Sequence, residues 1–162
     1  HSIVPAPNST DLQPVAQDYI TRLLNHLNYV GVLTLELFVT EQGLFANEMA
    51  CRVHNSGHWS IEGAVCSQFE NHIRAVAGLP LGSTEVIRPT VMINIIGQHP
   101  KSEAVLALNG AHLHLYNKSE RTGRKLGHIT LMPNNSDELT DLCRQLAKIL
   151  PVPLALTTDM NI

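Results

Sequence analysis

The sequence predicts an α+β fold, and three patterns carry that expectation. Residues 32–40 and 44–50 are aliphatic, strand-like runs joined by Glu41, Gln42 and Gly43, which reads as an antiparallel hairpin. Apolar residues recur at three- and four-residue spacing over 15–27, 61–76 and 139–149, the mark of amphipathic helices. Between the last two of these lie four short apolar runs separated by turn residues.

The first helix takes its cap from Ser9, Thr10 and Asp11, with Pro14 in its first turn. Val15, Tyr19, Leu23 and Leu27 form its apolar stripe, and it ends near Asn28. This stripe is expected to pack on the odd face of the strand over 32–40, which carries Leu33, Leu35, Leu37 and Val39. The even face carries Thr34, Glu36, Phe38 and Thr40. A three-residue loop ending in glycine suits a turn closed by a glycine bulge, where φ is positive. If Thr40 then pairs with Leu44, Glu36 lies opposite Glu48.

Directly opposed carboxylates repel, so the pair wants a cation between them. Oxygen ligands favour magnesium, which takes one or two carboxylates and fills its shell with water and phosphate. Asn47 could add an amide oxygen. Spacing alone leaves a second arrangement open, with one glutamate facing water or a slipped register that parts the two. Just beyond the hairpin come Arg52, His54 and Asn55. They offer a planar fork for an oxyanion, a group that exchanges protons near neutral pH, and an amide.

Residues 60–77 read as one helix capped by Ser60, with Ile61, Val65, Phe69, Ile73 and Val76 inward and a Glu70–Arg74 pair on another face. Gly78 and Pro80 end it. The spacing of His58 and His72 matches no zinc motif, so both are assigned structural or supporting roles. The polar stretch 82–89 is the expected domain boundary, giving domains 1–83 and 84–162. Strands are expected over 91–96, 105–108, 111–116 and 125–131. A last helix follows, capped by Ser136, with Leu139, Leu142, Leu146 and Ile149 inward and Pro151 stopping it. His112 and His114 share one strand face, more simply a solvated or interface face than a metal site lacking its third ligand. Lys118, Arg121, Arg124 and Lys125 cluster at a turn, where they could be solvated or could hold a phosphate monoester.

The 162 residues suffice for one or two small domains, and the net charge of −3 argues against nucleic acid as a partner. No apolar run is long enough for a membrane span. Three cysteines without a paired framework suit a reducing cytoplasm.

The run FANEMACRVHNSGHWSIEGAVCSQFENHIRAVAGLPLG resembles the signature of the N5-carboxyaminoimidazole ribonucleotide synthases, ATP-grasp carboxylating enzymes of purine biosynthesis. The matching positions are Asn47, Glu48, Arg52, His54 to Trp59, Ser67 to Glu70, His72, Arg74, Ala75 and Leu79 to Gly82. Cys51 stands where that family usually has proline, and Ser60 where threonine is common. The pattern around Tyr116, Lys118, Arg121, Gly123 to Lys125, Gly127 and His128 is similar too.

The resemblance implies the carboxy-terminal part of an ATP-grasp lobe followed by a small α+β domain. It implies that residues 1–162 match the later portion of longer chains, a fragment inactive alone. It implies ATP- and bicarbonate-dependent carboxylation of 5-aminoimidazole ribonucleotide through carboxyphosphate, in a cytoplasmic homodimer. In that reading Glu36, Asn47 and Glu48 hold Mg2+ on ATP, and Arg52, His54 and Asn55 serve the bicarbonate side. Lys118, Arg124 and Lys125 then take the ribonucleotide phosphate. Another ATP-grasp ligase and a non-catalytic binding or assembly module stand as alternatives; the intact HNSGHW run argues against the first.

Overall fold

The computed structural model describes residues 1–6 and 9–152. Two compact units result, Ala6–Glu85 and His1–Pro5 with Val86–Ile162. They part within the polar stretch 82–89. His1–Pro5 groups with the later unit because its strand pairs there.

In the unit Ala6–Glu85, helix α1 spans Ser9–Leu27 and is followed by Asn28 at φ 47°. The expected stripe is rotated. Val15, Tyr19 and Leu27 are exposed, while Leu12, Ala16, Ile20, Leu23 and Leu24 are half-buried. Both sets repeat at helical spacing, and the second holds more aliphatic carbon on one face. Pro14 lies inside the helix rather than in its first turn, and α1 makes no broad contact with the following strand.

That strand, β2, spans Thr34–Thr40 and pairs antiparallel with β3, Gly43–Ala50. Leu33 and Ala50 are buried at the base of the hairpin. Phe38, Val39, Phe45 and Met49 are exposed, so Val39 does not join the core as its parity suggests.

The expected helix over 60–77 is two helices, α2 at Ser60–Gly63 and α3 at Gln68–Val76. Between them Val65 and Cys66 donate backbone N–H groups to Glu85 O and Ser83 O, bonds a continuous helix would have denied them. Ser67, not Ser60, caps the longer helix, its side chain accepting from the Glu70 N–H at 3.2 Å. Ile61, Val65, Ile73 and Val76 are consequently exposed, and the buried positions are Ser60, Gly63, Ala64, Cys66 and Asn71. Arg74 Nε donates to Glu70 at 2.9 Å, the expected helical pair.

The later unit is a four-stranded antiparallel sheet in the order β1–β4–β6–β5. Its strands are β1 (Ser2–Val4), β4 (Thr90–Ile96), β5 (Ala111–Leu115) and β6 (Lys125–Leu131). Helix α4, Ser102–Leu106, replaces the strand expected over 105–108. Its Val105 is fully buried, which accounts for an apolar run too short to reveal its period. Helix α5, Ser136–Ile149, is capped by Asn135 rather than Ser136, through Asn135 Oδ1 accepting from Glu138 N–H at 2.8 Å. Leu139, Leu142 and Leu146 are buried in the core with Val91, Ile93, Leu126, Ile129 and Leu131, and Ile149 packs at its edge. Among the described residues no helix is long and apolar enough to cross a membrane.

Candidate active site

The hairpin brings Glu36 opposite Glu48, by a different route from the one its sequence suggests. Thr40 pairs with Gly43, so the turn holds two residues, Glu41 and Gln42, with Gly43 at φ 119°. From that turn a regular ladder would set Glu36 against Asn47. A register shift between Glu36 and Leu37 leaves Asn47 unpaired and moves Glu48 into place.

His54 sits between the two carboxylates. Its Nδ1 lies 3.4 Å from Glu36 Oε1 and its Nε2 3.6 Å from Glu48 Oε1, with the imidazole nearly buried. Nδ1 also accepts from the Ser56 N–H at 3.4 Å and meets Ser56 Oγ at 2.9 Å. In the neutral ring this assigns the proton to Nε2, toward Glu48. Asn47 Nδ2 donates to Glu36 Oε2 at 3.3 Å. Glu36, Asn47, Glu48 and His54 are therefore one group.

Arg52 is not drawn into it. The residue is exposed, and its guanidinium donates to Val53 O at 2.9 Å. Asn55 Oδ1 is buried without a hydrogen-bond partner in the structure, an acceptor that a ligand donor could satisfy.

The loop after the hairpin is shaped by Gln68 and Ser60. Gln68 Oε1 accepts from the His54 N–H at 3.0 Å, and its Nε2 donates to His54 O at 2.7 Å. His58 Nδ1 lies 2.8 Å from the same carbonyl and 2.9 Å from Gln68 Nε2. His72 Nδ1 accepts from Val32 N–H at 3.0 Å, a structural role. Gln68 and Ser56 went unremarked as functional candidates in the sequence. The only signal was their place in the SQFE and HNSG runs.

In the later unit Lys118 Nζ lies 5.4 Å from the centroid of the Tyr116 ring. Tyr116 Oη meets His128 Nδ1 at 2.7 Å, and His128 stacks on His114 at 4.4 Å. Burial pushes the Tyr116 hydroxyl pKa up. Arg124 turns back to Ser119 Oγ at 3.1 Å across the turn that holds Gly123 at φ 73°. Lys125 pairs with Ile96 at the start of β6.

Two carboxylates beside an amide and a nearby imidazole form a donor set suited to a hard cation that brings most of its own shell. Among the described residues no three or more His, Cys, Asp or Glu side chains are arranged to hold a metal by themselves. Such a set would leave most of a hard cation's shell to water or phosphate.

Known proteins share this architecture. Residues 1–69 match the ATP-grasp domain, and residues 90–141 match the phosphoribosylaminoimidazole carboxylase C-terminal domain. The fold is thus that of part of an ATP-grasp protein. The N5-carboxyaminoimidazole ribonucleotide synthase of Pseudomonas aeruginosa is 56% identical over 126 residues, covering 78% of this chain and 35% of the relative. That of Escherichia coli is 46% identical over 139 residues, 86% of this chain and 39% of the relative.

Among solved structures, the synthetase from Thermus thermophilus aligns with a TM-score of 0.91 at 49% identity, covering 96% of this chain and 43% of that one. The Aspergillus clavatus synthase in complex with ADP and 5-aminoimidazole ribonucleotide aligns at 0.80 with 34% identity, covering 91% of this chain and 43% of that one. The chain belongs to the N5-carboxyaminoimidazole ribonucleotide synthase family. It spans only about 35–40% of the length of such curated relatives.

Proposed function

We propose that this chain supplies the metal-binding hairpin and the bicarbonate loop of an enzyme that carboxylates 5-aminoimidazole ribonucleotide. The observation that carries the reading is the row Glu36–His54–Glu48, held in one hairpin and its following loop. ATP transfers its γ-phosphoryl group to a bicarbonate oxygen, giving ADP and carboxyphosphate. The exocyclic amine of the ribonucleotide then bonds to the carboxyl carbon. The bond from that carbon to the phosphate oxygen breaks, phosphate leaves and the nitrogen loses a proton.

Glu36 and Glu48 would hold Mg2+, which would supply charge neutralisation for phosphoryl transfer, and Asn47 steadies Glu36. Arg52 swings from the Val53 carbonyl to grip bicarbonate with its planar fork. His54 orients that anion or moves its proton, and Asn55 hydrogen-bonds it. Lys118, Arg124 and Lys125 bind the 5′-phosphate of the ribonucleotide. The domain assignment that goes with this reading gives 1–83 to the ATP-grasp lobe and 84–162 to the small C-terminal domain. A cytoplasmic homodimer is the expected working form.

The test is ADP formation by this chain joined to the amino-terminal portion of the Pseudomonas aeruginosa relative. Turnover should require bicarbonate, 5-aminoimidazole ribonucleotide and Mg2+ together. ADP formation that ignores the ribonucleotide, or that accepts glycinamide ribonucleotide equally, would overturn the reading.

A further inference from the structure

Gln68 grips the main chain of His54 on both sides, accepting from its N–H at 3.0 Å and donating to its C=O at 2.7 Å. A neighbouring β-strand would supply that pairing; here one side chain does, where the hairpin has ended and no strand runs. The amide cannot be turned over, because exchange of its ends would face two donors at the His54 nitrogen. Gln68 is itself anchored. Its backbone N–H donates to Ser60 Oγ at 3.0 Å, and Ser60 Oγ donates to Gly57 O at 2.6 Å. Gly57 leaves the room this requires, since a Cβ there would come within 2.6 Å of Gln68 Oε1.

We propose that Gln68 is a positioning residue for carboxylation. It touches neither metal nor substrate. It fixes the His54 backbone so that the imidazole stays between Glu36 and Glu48, presented to the bicarbonate side. The proposal rests on the reading of His54 given above and adds to it the residue that sets the ring's place. Small displacements of a reacting group are costly, about 100-fold in rate for 1 Å, so a clamp on the main chain is a direct way to act on turnover.

Two variants separate this role from simple packing. Gln68→Met keeps length and removes both hydrogen bonds. Gln68→Glu keeps the acceptor for the His54 N–H and sets a carboxylate against the His54 carbonyl.

By NMR on this chain, His54 should show one imidazole tautomer, with Nδ1 as acceptor. In Gln68→Met that signature should average, and the His54 amide should exchange at least about tenfold faster once its acceptor is gone. The Ile129 amide, in the later unit, should be unchanged.

In the joined enzyme, kcat/KM for bicarbonate should fall about 10- to 100-fold while KM for ATP stays within about twofold. Should Gln68→Met not fold, Gln68→Glu gives the tautomer and kinetic readouts, with the His54 amide staying protected because its acceptor is kept. Unaltered His54 signals in a folded variant, or normal bicarbonate kinetics, would overturn the proposal. A joined enzyme inactive with Gln68 intact would count against the functional reading instead, and the NMR result would then decide the clamp.

Discussion

Arg52 lies outside the row formed by Glu36, His54 and Glu48, its guanidinium donating to the neighbouring Val53 carbonyl. Reaching an oxyanion requires that bond to break, and only a planar fork can then grip two oxygens at once. In the joined enzyme Arg52→Lys should therefore lose carboxylation by about 100-fold or more while ATP affinity changes little, since the charge is kept and the fork is lost. Steady-state kinetics with each substrate varied check this; equal damage to ATP would reassign Arg52 to the nucleotide. Glu120 gives a pH prediction. Its Oε1 accepts from the His99 backbone N–H at 2.8 Å, which holds its carboxyl below the usual glutamate range. Partial desolvation opposes that shift, and the His99 imidazole adds to it. A lowered folded pKa means that the contact stabilises above the ordinary glutamate pKa and fades as pH falls through the lowered one. The His99 amide followed by NMR should titrate with a midpoint below the ordinary glutamate value, and an ordinary midpoint would refute the contact.

At the scale of elements, β6 shows how tightly the sheet is built. Gly127 pairs with Ile95 on one side and Leu115 on the other, and a Cβ there would overlap the His114 carbonyl oxygen. Gly127→Ala should thus destabilise the later unit by about 1–3 kcal/mol, as overpacking does, read as a lower thermal midpoint. This strand was legible in the sequence to its end residues, because residues 125–131 form an uninterrupted strand-like run. Helix α5 was legible through Leu139, Leu142 and Leu146. Three residues of β1 were not, since pairing with β4 spans most of the chain and leaves no local pattern. The break between α2 and α3 was hidden for the same reason. Its cause is hydrogen bonding to residues 83 and 85, while the apolar period runs on through Val65. In the site, the opposed glutamates were readable and the means were not. The turn is one residue shorter than expected, and the unpaired Asn47 compensates. The side chain of His54 announced itself; the amide that holds its backbone did not.

On the scale of the whole molecule, the chain spans about 35–40% of its curated relatives, and on the proposed reading it supplies only part of a nucleotide site. The hairpin contributes two carboxylates and an amide. Magnesium gives up water reluctantly and leans on phosphates to complete its shell. A partial wall must still overcome the entropy of association. Calorimetry on the 162-residue chain should accordingly find Mg-ATP binding far weaker than micromolar. A phosphate-release assay should find no stimulation by bicarbonate and 5-aminoimidazole ribonucleotide. Micromolar binding with stimulated release would make the chain a self-sufficient enzyme. The hairpin also presents Phe38, Val39, Phe45 and Met49 at its surface, so concentration-dependent association is expected in sedimentation.

The unpaired Asn47 gives the hairpin slack. An odd number of residues separates Glu36 from Glu48, and a two-residue turn on a regular ladder needs an even number. Asn47 absorbs the difference. Loss of one residue between 37 and 47 can be taken up by straightening the bulge, with the two carboxylates still opposed. A single deletion near the tip can therefore occur while the glutamate pair stays in frame. Deleting Asn47 itself should spare the glutamate pair and remove only the amide that steadies Glu36.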